Sequence, residues 1–283
     1  MTEDQHSSQQ PRNENSVGFF QLSARALDEL RMNLGFFTRL PTFAGGMLSA
    51  QGRDPNPDVQ RHLFACSFWA TPISALIIGG IMAALWWLAM TIWHNPLLAA
   101  GLALAAHALL TGALHDDGLA DLADAMGGAD PQRRLEIMSD SRIGSYGVVA
   151  LVLWYAIAIA GISSLPVGVG ATALMASAIL SRCFIPMGLH LLPSAKQTGL
   201  GQSASGSASP WPALIAVGVG NVLALVILGV PAILILVAVL AAQGAVVALA
   251  WRLVGGMSGD VYGAGQRLGE LAGLLTAAAI WTA

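Results

Sequence analysis

The stretch LFACSFWATPISALIIGGIMAALWWLAMTIW, from Leu63 to Trp93, contains no Asp, Glu, Lys or Arg. A helix crosses the roughly 30 Å apolar core of a bilayer with about 20 apolar residues, so this run is long enough to span it. The turn His94-Asn95-Pro96 closes the run. Working outward, no charged residue occurs between Arg61 and Asp116, between Arg142 and Arg182, or between Lys196 and Arg252. Each of these gaps has room for two crossings. Of the 283 residues, 55% are hydrophobic and 10% charged. An ordinary soluble domain carries about 25% charged residues, so a membrane protein is the first reading.

The apolar runs after the first are Leu97–Leu114, Tyr146–Ser163, Pro166–Leu192, Trp211–Leu228 and Pro231–Trp251. A last one, Leu268–Ala283, is short for a crossing. The expected fold is therefore all-α, a polytopic transmembrane bundle of about six or seven membrane helices. Between Leu22 and Thr42, Leu27, Leu30, Phe36 and Phe37 alternate with Arg25, Arg31 and Arg39. That pattern predicts an N-terminal amphipathic helix at the membrane interface; the alternative is an amphipathic helix packed on its neighbours. Residues 1–18 are polar and read as a disordered tail without a cleavable signal peptide. Residues 19–283 then form a single integral-membrane catalytic domain.

With residues 1–62 on the cytoplasmic side, the turns at His94, Pro166 and Gly229-Val230-Pro231 face outward and carry no charge. The Lys and Arg residues then fall on or near one face, which the positive-inside rule makes cytoplasmic. Chemistry is expected on that face. The net charge of −3 comes with no basic stripe, so no nucleic-acid partner is expected. Cys66 and Cys183 lie in apolar runs and read as small buried residues.

The segment His115-Asp116-Asp117-Gly118-Leu119-Ala120-Asp121-Leu122-Ala123-Asp124 is the chemical centre of the chain. On a helix, Asp117, Asp121 and Asp124 share one face, with Asp116 turned about 100° away. Three like charges on one face call for a compensating cation, and hard oxygen ligands suit Mg²⁺ or Mn²⁺ completed by substrate phosphates. The plainer reading is a solvated acidic helix end. Next, Asp130-Pro131 reads as an N-cap and first helical residue. Asp140 and Arg142, among flexible glycines, are candidates for a metal and a phosphate. Arg182 lies inside an apolar run, where a charge is costly, so it should face the bundle interior and pair with an acid or a substrate phosphate. Lys196 with Gly199 and Gly201 resembles a phosphate-cradling loop in composition, as many plain linkers do. Asp260, among glycines, adds a carboxylate, and His107 and His190 read as packing histidines.

Gly112-Ala113-Leu114-His115-Asp116-Asp117-Gly118-Leu119-Ala120-Asp121-Leu122-Ala123-Asp124 resembles the G-G-L-H-x-D-G-L-A-D-T-A-D motif of the cobalamin synthase family. Phe37-Thr38-Arg39-Leu40-Pro41, the segment Glu136 to Gly147, and Gly255-Gly256-Met257-Ser258-Gly259-Asp260 match that family in order and spacing. The resemblance covers residues 30–275. It departs at Ser139, where Lys is frequent, at Ser145 and Ser258, where Thr is usual, and at Lys196, where an Arg fork is common. The resemblance implies a Mg²⁺-dependent transferase in the bacterial inner membrane, with its active face cytoplasmic. It would join adenosylcobinamide-GDP to α-ribazole or its 5′-phosphate and release GMP. On that reading Asp117, Asp121, Asp124, Asp140 and Asp260 hold metal, and Arg142, Arg182, Lys196, Gly199 and Gly201 contact substrate. His115, Asp117 or Asp121 serves as a catalytic group, the base being left open, as is assembly into a homo-oligomer. A CDP-alcohol phosphotransferase would need an Asp where Leu114 stands and Ala-Arg after its motif. A cation-coupled transporter would place its acids near the midplane and show internal repeats, and none is visible.

Overall fold

The computed structural model describes residues 14–42, 57–195 and 209–282, so Lys196, Gly199 and Gly201 fall outside the described residues. In chain order the helices are α1 (Glu14–Phe37), α2 (Pro57–Ser67), α3 (Thr71–Trp93), α4 (Pro96–Thr111), α5 (Leu114–Ala125) and α6 (Pro131–Ile137). They continue as α7 (Ser145–Ser163), α8 (Val167–Cys183), α9 (Ile185–Leu191), α10 (Trp211–Leu228), α11 (Ala232–Val254) and α12 (Gly259–Thr282). A 3₁₀ turn, Phe68–Ala70, links α2 to α3. Among the described residues the only β-type pairing is one isolated bridge between Ser194 and Met257.

This is a multi-pass membrane protein of the expected all-α class. Among the described residues, five helical stretches are long and apolar enough to cross a bilayer: His62–Trp93, Ser145–Ser163, Val167–Leu191, Trp211–Leu228 and Ala232–Val254. The pair α4 and α5 passes the same test only jointly, bent by 92°. Leu102, Val152, Leu153, Val226 and Val237 are exposed on these helices, as lipid-facing side chains are. The turn after α3 forms as expected. His94 adopts the left-handed conformation (φ 50°), Asn95 accepts a hydrogen bond from the Leu98 N–H at 3.1 Å, and Pro96 opens α4. The run after Pro166 differs by breaking at Phe184, with Pro186 in the first turn of α9.

Two expectations need correction. The last helix begins at Gly259, not Leu268, and its 24 residues extend about 36 Å. An apolar-run criterion misses it because Arg267 and Glu270 lie inside; both are buried in protein and never meet lipid. Arg267 is thus interior and does not belong to the charged face. The N-terminal helix starts at Glu14, inside the stretch read as a tail, and residues 1–13 lie outside the described residues.

α1 is amphipathic and docks on the start of the first span. Asn33 is fully buried; its Nδ2 donates to Thr71 Oγ1 (3.2 Å), and Ser74 Oγ donates to its Oδ1 (2.8 Å). Trp69 Nε1 donates to Glu29 at 2.7 Å. The amphipathic helix expected here therefore also packs on its neighbours. The core is built around α8, against which α3, α10 and α12 pack. Lipid offers no hydrophobic drive for helix association, so close approach through small residues matters. A Cβ on Gly79 of α3 would stand 2.8 Å from the Met175 backbone of α8.

The right-angle bend before α5 rests on two successive left-handed residues, Gly112 (φ 61°) and Ala113 (φ 55°). Glycine tolerates this conformation, whereas an L-side chain costs about 1–2 kcal/mol there. Ala113→Gly is therefore expected to stabilise the protein by up to about 1 kcal/mol, because glycine's looser unfolded chain offsets part of the relief. A thermal melt in detergent checks this, and a lower melting temperature would mean the strain is absent.

Candidate active site

Beyond the bend, α5 lies with Asp117 exposed, Asp121 and Asp124 half-buried, and Asp116 buried on the opposite side. The helical arrangement anticipated from the spacing is present. The other three motifs converge on this helix. Arg39 of the first motif donates its backbone N–H to Leu110 O at 2.7 Å, and its side chain lies over Gly112, where any Cβ would overlap it.

The second motif meets the far end of α5. Asp124 Oδ2 accepts from the Gly144 N–H at 2.7 Å, and Oδ1 accepts from the Gly147 N–H at 2.9 Å. A Cβ on either glycine would run into that carboxylate. Asp124 thus sits on the N-terminus of α7, where unpaired amides and the helix dipole favour an anion. The exposed Asp140 is gripped by Arg142 with Nη2–Oδ2 at 2.7 Å and Nε–Oδ1 at 3.1 Å, and this guanidinium holds the Asp140 carboxyl down at about 2. Asp130 caps α6 as expected, accepting from the Arg133 N–H at 2.9 Å.

The fourth motif supplies Asp260 at the start of α12. Gly118 allows the contact, since a Cβ there would lie 2.5 Å from Asp260 O; Gly263 faces back towards the His115 and Gly118 backbones. Ser258 caps this helix, its Oγ accepting from the Val261 N–H at 3.3 Å. Ala195 N–H donates to Met257 O (2.7 Å) and Met257 N–H to Pro193 O (3.0 Å), which anchors residues 193–195 beside the fourth motif. His115, Asp117 and Asp260 line one pocket of about 120 Å³. His115 is buried, and its Nδ1 has no hydrogen-bond partner.

Gly118→Ala is expected to force α5 and α12 apart and separate Asp117 from Asp260. Because the obstruction is backbone, overpacking should cost about 1–3 kcal/mol. Turnover should fall more steeply than stability, and melting curves recorded beside rate assays check this. A fully active variant would show that the close approach is dispensable.

Beneath α5 lies an ionic cluster that the sequence reading left unassembled. Arg267, fully buried on α12, places Nη2 2.8 Å from Asp116 Oδ1 and Nη1 3.0 Å from Glu270 Oε2. The first contact is off the hydrogen-bond axis and acts as an ion pair. Tyr155 OH donates to Asp116 at 3.0 Å, and the Arg267 guanidinium stacks 3.4 Å over the Trp154 ring. Arg182 is interior, as anticipated, and its acid is Glu270 at 3.6 Å. Arg182 Nη2 also lies 2.6 Å from His107 Nε2. A guanidinium only donates, so that imidazole nitrogen must accept and His107 is neutral. Two guanidinium and two carboxylate groups therefore cancel inside the bundle. Arg267 and Glu270 stand three residues apart in a segment rich in glycine and apolar residues, and a charge at membrane depth must find a partner. That signal was present, but starting the last segment at Leu268 hid it.

Among the described residues no three acid, histidine or cysteine side chains gather to hold an ion unaided. Asp117 and Asp260 on one pocket nevertheless fit Mg²⁺, which binds through one or two carboxylates and takes further oxygens from water and substrate phosphates.

A family profile described as cobalamin-5-phosphate synthase matches residues 29–278. An adenosylcobinamide-GDP ribazoletransferase of Bradyrhizobium diazoefficiens is 38% identical over 255 residues, covering 89% of this chain and 93% of the relative. One from Azorhizobium caulinodans is 39% identical over 261 residues, covering 89% and 96%. One from Mesorhizobium japonicum is 38% identical over 256 residues, covering 89% and 93%. No solved structure matches the chain.

Proposed function

The chain belongs to the cobalamin-5-phosphate synthase family, and from that premise we propose that it joins adenosylcobinamide-GDP to α-ribazole or its 5′-phosphate. The products are adenosylcobalamin or its 5′-phosphate, and GMP. The observation that carries this reading is the meeting of four separate motifs on α5, with Asp117, Asp260 and His115 on one pocket.

In this reaction a ribose hydroxyl oxygen forms a bond to the phosphorus bearing cobinamide. The bond from that phosphorus to the oxygen of GMP breaks, and GMP leaves with its electron pair. His115, which lines the same pocket, takes the hydroxyl proton. Asp117 and Asp260, with Asp121 one turn along, would hold Mg²⁺. Bound there, the ion would supply charge neutralisation for the phosphoryl oxygens and the leaving group. Arg142, 87% exposed, is free to swing its guanidinium from Asp140 to a phosphate. Lys196, Gly199 and Gly201 are assigned further contacts to the substrate phosphates. Arg182 acts through the cluster under α5, and Asp124 positions α7. The active face is cytoplasmic, in a bacterial inner membrane.

The test is the purified protein in liposomes with adenosylcobinamide-GDP, α-ribazole and Mg²⁺, following GMP and the cobalamin product by chromatography. Product is expected with Mg²⁺ and none with EDTA. A well-folded sample that forms no product overturns the reaction.

A further inference from the structure

The pocket that His115, Asp117 and Asp260 share has a second wall of a different kind. Phe36 and Phe37 at the end of α1, Phe64 on α2, and Phe68 on the 3₁₀ turn line it, together with Tyr262 of α12. The phenylalanines form one edge-to-face chain, with centroids 4.9 Å apart for Phe36–Phe37, 5.0 Å for Phe36–Phe64 and 4.9 Å for Phe64–Phe68. Phe37 and Phe68 are buried in the core, whereas Phe36 and Phe64, packed against it, stay half-buried beside a pocket of about 120 Å³. At the polar end, His115 is only 4% exposed, lines the pocket and leaves Nδ1 unpartnered.

We propose that this aromatic wall holds the planar, apolar base of the nucleoside acceptor, with its ribose at the His115, Asp117 and Asp260 end. The assignment rests on the reaction proposed above and states which part of which substrate enters here. The base of α-ribazole is a methylated benzimidazole, a flat bicycle suited to edge and face contacts with phenylalanine. Guanine carries several donors and acceptors on its rim, and a phenylalanine wall would leave them unpaired at a cost of several kcal/mol. A corrin is far too large for this volume. The N-terminal helix therefore forms one side of the acceptor site in addition to docking on the bundle.

Equilibrium binding of labelled α-ribazole to the detergent-purified full chain tests this without requiring turnover. Free 5,6-dimethylbenzimidazole is expected to compete and GMP is not. Phe64→Ala, which strips the wall, and Phe64→Trp, which fills the pocket without leaving a cavity, should each weaken α-ribazole binding by about tenfold. The affinity for adenosylcobinamide-GDP should stay within about twofold, well under the 1.4 kcal/mol that a tenfold change represents. Competition by GMP, unchanged α-ribazole affinity in both variants, or no binding to the wild type overturns the assignment. Binding as expected in a protein that makes no cobalamin keeps the pocket and sinks the reaction instead.

Discussion

Asp117→Asn should lower product formation by at least about a hundredfold, the scale on which one electrostatic partner of a phosphoryl transition state acts. Melting temperature should hold or rise slightly. The substitution is isosteric, and Asp117 on α5 is partly desolvated and faces the like charge of Asp260. An amide carries neither cost, so activity lost at an unchanged melting temperature points to the site. Excess Mg²⁺ should recover little, because a neutral amide is a poor ligand for a hard dication. GMP release and thermal melts on the same preparation decide the matter. A variant that keeps its rate removes Asp117 from the site, and one that melts much earlier makes it structural.

Glu270→Gln should do the opposite, striking stability first. The Glu270 carboxylate serves Arg267 at 3.0 Å and Arg182 at 3.6 Å, and accepts from Gln266 Nε2 at 3.1 Å. Its neutralisation leaves two buried guanidinium groups with Asp116 alone. Breaking a buried pair by removing one partner costs about 3–5 kcal/mol, because the remaining charge is uncompensated. The double variant Arg182→Met with Glu270→Leu leaves Asp116 and Arg267 balanced, and should melt above Glu270→Gln alone. Equal melting temperatures for Glu270→Gln and the wild type would show that these charges do not interact as their distances require.

The spans were readable because lipid imposes a one-dimensional rule: long apolar runs separated by turns whose residues stop helices. His94-Asn95-Pro96 is such a stop, and the capping bond at Asn95 is the one its chemistry predicts. The acid face of α5 was readable for a similar reason, since helical spacing alone puts Asp117, Asp121 and Asp124 together. Asp124's actual partners were not, because Gly144 and Gly147 lie some twenty residues on and meet it only after the chain folds back. The length of α12 was hidden because Arg267 and Glu270 count as charges in a sequence, although they cancel against Arg182 and Asp116 in the structure. Nothing local announces the bend at Gly112 and Ala113, since alanine there breaks the residue preference that would mark it.

The neutral cluster also constrains how the protein is made. Asp116 and Arg182 enter the bilayer on segments translated well before α12, yet their counter-charges, Arg267 and Glu270, arrive only with that helix. Until then the nascent bundle carries an acid and a guanidinium whose partners are still unsynthesised. Insertion machinery must shelter them, or they must stay near water at the interface. Docking of α12 then brings the counter-charges last, and a chain with a damaged C-terminal helix keeps an acid and a guanidinium unpaired in its interior.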